Sequence, residues 1–151
     1  MIALLQKVKY AKVSIDKKLY SQINKGILIF LGIHSKDIKK DVEYLVKKII
    51  KARIFSDTNN KMNFDILTIK GSMLVVSQFT LYGNLKKGNR PSFLNAAKPN
   101  IAKPIYHYFV SLLKEYNIKI ETGKFGAEMD IDLNNNGPVT LIINSHDEKK
   151  D

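Results

Sequence analysis

The chain has no cysteine, which excludes disulfides, thiolate-bound zinc and a cysteine nucleophile and makes a cytoplasmic setting the default. It also lacks a long apolar run. The best candidate, ILIFLGI, stops at seven residues, far short of the ~20 that a membrane span requires. The opening MIALLQKVKYAKVSID has neither the apolar centre nor the small-residue cleavage site of a signal peptide. Histidine is scarce, at three residues, and the glycine patterns GxGxxG and GxxxxGK[ST] that cradle phosphates are absent. Acidic residues are few as well, 14 against 25 Lys and Arg, for a net charge of +11, and only Arg53 and Arg90 are arginines. A lysine-dominated excess suits a polyanionic partner held through its phosphates rather than through base edges. A lysine-rich proteome, in which Asn and Ile are also abundant, gives the same balance.

A chain of 151 residues fits one domain and buries about two thirds of the surface its unfolded form exposes. Residues 1–145 are expected to form that domain, with 146–151 a charged, flexible tail. Residues 2–15 alternate and predict a strand, followed by strands near 19–23 and 27–33. Asp37 predicts an N-cap for a helix over 38–54, whose Ile38, Val42, Leu45, Val46 and Ile49 recur at helical spacing. A strand over 72–77 runs into SQFTLYG. Residues 84–98, NLKKGNRPSFLNAAK, have no period and predict a long basic loop. A second helix begins between Asn100 and Pro104 and buries Ile105, Phe109, Leu112, Leu113 and Tyr116. Strands over 118–122 and 127–133, an Asn-Asn-Asn-Gly-Pro turn and a strand over 139–144 complete the chain. Strands outnumber helices, so the expected class is α/β: one domain of layered β-sheets, with two main helices on the outer face in β/β/α layers.

The side chains offer little conventional chemistry. Ser77 lies in SQFTL rather than in a G-x-S-x-G elbow, and no histidine falls in a triad pattern. Glu128, Asp130 and Asp132 share one strand face, but no histidine accompanies them and a solvated face is favoured over a cation site. No metal and no cofactor is expected. There remains a site of backbone and small polar groups at Ser77, Gln78, Phe79 and Thr80, where a strand-to-loop junction aims N–H groups at an oxyanion. Asn136-Gly137-Pro138 reads by itself as a turn joining strands, and Gly-Pro is a bond at which a cis peptide is accessible.

SQFTLYG (77–83) and NNGPVT (135–140) resemble the two signatures SQFTL-x-G and N-x-G-P-x-T of the D-aminoacyl-tRNA deacylases, the D-tyrosyl-tRNA deacylase family. The opening stretch, GILIFLGI, GNRPSF (88–93) and GKFGAEM resemble the same family in the same order, up to about Ser145. The resemblance implies hydrolysis of the ester joining a D-amino acid, or glycine, to the terminal adenosine of tRNA, as translation quality control. It also implies a homodimer with active sites at the subunit interface. Gly137 and Pro138 of one subunit, joined by a cis peptide, would then reach the pocket holding Ser77 to Thr80 of the other, while Phe125, Met129 and Ala102 line that pocket. Rigid carbonyls placed where an L side chain would project exclude it, and glycine has no side chain to clash. Thr80 is either a nucleophile or, with no base beside it, an anchor that orients the substrate while the tRNA 2′-OH or a water assists. Lys86, Lys87, Arg90 and Lys98 are candidate contacts to acceptor-stem phosphates. The rival class is a non-catalytic nucleic-acid-binding module, which the shortage of surface aromatics weakens.

Overall fold

Alternation of apolar and polar residues makes β1 (Ile2–Ile15) the longest early strand, and three other strands pair directly with it. A computed structural model describes residues 1–150 and side chains through Asp147; Asp151, the end of the expected tail, lies outside the described residues. β2 (Lys18–Ile23) returns beside the second half of β1 through a turn in which Asp16 and Lys17 both take positive φ. β3 (Gly26–Gly32) pairs antiparallel with the first half of β1, between Ile2 and Val8. The first helix, α1 (Lys39–Ile50), follows, then the short pair β4 (Phe55–Ser56) and β5 (Met62–Phe64). β6 (Ser72–Ser77) lies parallel to β3, and a Cβ on Gly26 would stand 1.8 Å from the Ser72 carbonyl oxygen. Only glycine permits that approach. After α2 (Pro99–Lys114), β7 (Lys119–Thr122) pairs parallel with β6, and β8 (Asp130–Asn144) runs antiparallel along the other edge of β1.

Period-two alternation sends each strand's side chains to two cores. Ile27, Ile29 and Leu31 of β3, with Met73 and Val75 of β6, meet the helices. Leu28 of β3, with Leu74 and Val76 of β6, faces the inside of the rolled sheet together with Val8, Ala11, Val13 and Ile23. β1 changes face along its length: Ala3 and Leu5 belong to the helical core, but Ala11 and Val13 to the inner one. The register slips between Val8 and Ala11, which supplies the bend. That bend rolls the sheet until β2 lies by β7, where the Ser21 hydroxyl donates to the Thr122 carbonyl at 2.8 Å. The result is a nearly closed sheet with both helices on its outer face. The fully buried Phe109, Leu45 and Ile49 fill the layer between them, each contributing roughly 1.5–3 kcal/mol.

Four local expectations are corrected. Asp37 is not the helix cap: Ile38 holds that position, and its N–H donates to Asp41 Oδ2 at 2.9 Å. Asp37 instead accepts from the Met1 ammonium at 2.7 Å and from the His34 N–H at 2.6 Å. The helix stops at Ile50, four residues early, because Ile54 and Phe55 turn inward to begin β4. α2 starts at Pro99, whose fixed φ suits a first turn, so Pro104 falls in the second turn and the Asn100 carbonyl has no N–H four residues on.

The fourth correction concerns the Asn-Gly-Pro turn. The two strands expected around it are one strand, β8, interrupted by a bulge. Between Asn135 and Thr140 the chain takes five steps while its partner takes two, from Gln6 to Val8. Because β1 is long enough to pair both halves of β8, the extra residues are extruded rather than reversed.

Candidate active site

β6 ends at Ser77, opposite Leu31 of β3, and the Gln78 N–H closes the ladder on the Leu31 carbonyl at 2.8 Å. The chain then tightens into one helical turn, Phe79–Tyr82. Gly32 makes room for it, since a Cβ there would meet Leu81 Cβ at 3.1 Å and the Gln78 carbonyl at 3.2 Å. Leu81 and Gly83 donate back to Gln78 and Thr80. The N–H groups of Phe79 and Thr80 open the turn and find no acceptor among the described residues, as expected of a helical first turn. Gln78 Nε2 donates to Thr80 Oγ1, which fixes the hydroxyl beside those two N–H groups.

This turn separates two recesses. The larger, about 410 Å³, is lined by Ser77, Gln78, Phe79, Ala102 and Phe125, with Phe93, Ala96 and Ala97 of the long loop. Phe79 and Phe93 meet edge to face at 5.0 Å. The smaller, about 260 Å³, lies between Ser77–Phe79 and Met129. Met129 gains its position because Gly123 has no side chain; a Cβ there would stand 2.7 Å from the Met129 sulfur. Behind the cleft, Tyr106 packs on Phe125 with ring centres 5.5 Å apart, and its hydroxyl donates to the Val75 carbonyl at 2.9 Å. Burial pushes the Tyr106 phenol well above its ordinary range, so it remains a donor at any working pH.

The described chain therefore brings Ser77, Gln78, Phe79, Ala102 and Phe125 to one recess and Met129 to the other, while Thr80 is exposed, lines neither, and meets them through Gln78. It does not bring Gly137 and Pro138 to them. These two ride exposed on the bulge of β8, joined by a cis peptide with Gly137 at φ +121°, and neither lines the recesses. The base of the bulge is stapled: Asn135 Nδ2 donates to the Lys7 carbonyl at 3.1 Å and the Val139 carbonyl at 3.0 Å, and the Thr140 hydroxyl donates to Asn135 Oδ1 at 3.3 Å. Lys86, Lys87, Arg90 and Lys98 are all exposed, the first three in the long loop and Lys98 just before α2. The loop is anchored on the strand ends by the Ala97 N–H, which donates to the Ile33 carbonyl at 2.9 Å.

A family model described as D-Tyr-tRNA(Tyr) deacylase matches residues 4–144. The chain belongs to the D-Tyr-tRNA(Tyr) deacylase family. A curated D-aminoacyl-tRNA deacylase of Thermosipho africanus (strain TCF52B) is 51% identical over 145 residues, 96% of this chain and 97% of that protein. Another from Desulfatibacillum aliphaticivorans is 53% identical over 145 residues, 96% and 99% of the two chains. Among solved structures, a c-Myc DNA Unwinding Element Binding Protein superposes with a TM-score of 0.90 at 37% identity, covering 95% of this chain and 97% of that one. A probable eukaryotic D-amino acid tRNA deacylase shares the fold at a TM-score of 0.83 and 15% identity, covering 94% and 97%.

Within this member of the deacylase family, sequence reasoning missed three supporting residues. Asn135 and Thr140 stand at the ends of N-x-G-P-x-T, and their even placement around Gly-Pro was the available signal. Tyr106 had none, because its partner carbonyl is 31 residues distant in sequence.

Proposed function

We propose that this protein hydrolyses the ester of D-aminoacyl-tRNA, and of glycyl-tRNA, releasing free tRNA and the amino acid. The observation that carries the reading is the Phe79–Tyr82 turn, which offers two unpartnered N–H groups at a cleft in a chain of the deacylase family. An ester is already activated, so positioned N–H donors and an oriented water or 2′-OH suffice without a triad. In this reading the carbonyl oxygen of the ester sits on the Phe79 and Thr80 N–H groups, and the Thr80 hydroxyl, held by Gln78, orients the terminal ribose. Ala102, Phe125 and Met129 shape the walls, and the loop cations Lys86, Lys87, Arg90 and Lys98 meet acceptor-stem phosphates.

The active form is a homodimer in which Gly137 and Pro138 of each subunit enter the cleft of the other. Support comes from the exposed position of the bulge and from the outer edge of β8, which has no partner strand among the described residues. Leu141 and Ile142 lie exposed on the same strand, at 42% and 68%. A long edge carrying apolar residues invites a second copy. Without one, the motif stands away from the cleft.

Turnover by wild-type and Thr80→Ala protein tests the chemistry. Wild type is expected to release D-amino acid over many turnovers without a covalent intermediate, and Thr80→Ala to lose roughly 10- to 100-fold, the worth of one hydrogen bond to a charged group. A trapped acyl-threonine with a loss of ~10⁴ or more would make Thr80 the nucleophile. Binding of the tRNA without release would support a non-catalytic module. The 37% identity to a DNA Unwinding Element Binding Protein and the +11 charge favour DNA binding as a second property.

A further inference from the structure

A second groove opens on the far side of Phe125. Its volume is about 520 Å³, and Lys103, His107 and Lys114 of α2 face Tyr20, Lys124 and Phe125 across it. Phe125 lines this groove and the cleft alike, so the two are neighbours that share one wall. Three lysines line the groove and no acid does. None of the three forms an ion pair among the described residues; the one surface Lys pair there is Lys119 with Glu121, outside the groove. Exposed lysines held apart by a fold, with no counter-charge, raise the local potential for an anion.

The spacing along α2 is regular. Lys103, His107 and Lys114 lie on one face, and the eleven-residue step from Lys103 to Lys114 spreads the charge over about 16 Å of helix. That equals several nucleotides of a stacked strand at about 3.4 Å each. Tyr20 is half exposed at the groove's edge, a flat ring on which a base can stack. A lysine-lined channel with an aromatic at its wall is the physical form of a single-stranded nucleic-acid site.

We infer that this groove holds the single-stranded 3′ segment of tRNA that leads to the esterified terminal nucleotide, with its phosphates on Lys103, Lys114 and Lys124 and a base on Tyr20. The inference rests on the proposed function for the identity of the strand, while the groove's charge and shape are independent of it. The loop cations and the groove then serve different parts of one ligand, the duplex stem and the unpaired end.

The test is a triple variant, Lys103→Ala/Lys114→Ala/Lys124→Ala, titrated with tRNA at several salt concentrations. The slope of log affinity against log salt is expected to fall by about 2, near 0.7 for each lost single-strand contact. Affinity at low salt should drop at least tenfold, and the corresponding triple Lys→Arg variant should restore it. For catalysis, the loss on D-aminoacyl-tRNA should exceed the loss on D-aminoacyl-adenosine, which lacks the strand, by at least tenfold and should appear in KM. Wild-type affinity and slope in the triple Ala variant would overturn the groove assignment, whatever the hydrolysis. If the variant loses tRNA binding but wild-type protein cleaves neither ester, the groove stands and the catalytic reading fails.

Discussion

Pro138→Ala is expected to let the protein hydrolyse L-aminoacyl-tRNA, lowering the D-over-L preference by roughly 100-fold, or about 2.7 kcal/mol of discrimination. Proline fixes φ at its own position and offers no N–H, so it holds the carbonyls of the bulge in one direction. Alanine restores φ freedom and adds a donor that competes for water or for Asn135. In the proposed dimer those carbonyls occupy the space an L side chain needs, while a D side chain leaves on the other side. Turnover of the D ester should fall less than tenfold, because Ser77 to Thr80 are untouched. The comparison needs initial rates for both esters and a mass measurement showing that the variant is still a dimer. An active, dimeric variant with unaltered selectivity would remove this peptide from the specificity mechanism.

Asp37→Asn is expected to destabilise the fold by about 3–5 kcal/mol, the cost of leaving a buried charge unpaired, or roughly 10 °C in Tm for a chain of this size. Both the Met1 ammonium and Asp37 are fully buried, and they meet at 2.7 Å. The amino group also donates to the Ser145 hydroxyl at 2.8 Å, which in turn donates a hydrogen bond to Asp41 Oδ1 at 2.8 Å, and His146 Nε2 lies 2.9 Å from Asp37 Oδ1. One cluster thus ties the start of β1, the start of α1 and the end of β8. Asparagine keeps the shape and removes the charge. Thermal unfolding followed by circular dichroism measures the effect, and an unchanged Tm would show that the pair carries no net stability.

The same cluster sets the acid response. Burial raises the Asp41 carboxyl, but the Ile38 N–H, the Ser145 hydroxyl and the amino terminus outweigh it and hold the group below its ordinary 3.8. Its contribution is complete above that value and is lost as pH falls through the lower folded one. His34 is also depressed from 6.5, chiefly by burial. There the unfolded chain takes up a proton first, so stability begins to fall as pH drops below 6.5. Two separate acid steps are therefore expected in wild-type protein.

How far the sequence carried the structure depends on the range of the signal. Alternation in 2–15, the apolar runs of 27–33 and 72–77, and the helical spacing of Val42, Leu45, Val46 and Ile49 are local, and they placed the main elements. Asp37 before a helix is also a local signal, yet a charge partner 36 residues away took it. Asn-Asn-Asn-Gly-Pro is turn chemistry by composition, but a 14-residue partner strand kept β8 continuous and made the motif a bulge. SQFTLYG and NNGPVT were legible as signatures of the family because the residues of each are contiguous. The lysine groove was not, since Tyr20, Lys103 and Lys124 meet only after the sheet rolls.

The most direct measurement is ester loss from one tRNA charged in parallel with the D and the L form of the same amino acid, using catalytic amounts of wild-type protein. Multiple-turnover hydrolysis of the D ester, with the L ester no faster than its spontaneous decay, is the expected result. Equal hydrolysis of both esters, or binding of the D form with no release, would contradict a stereoselective deacylase.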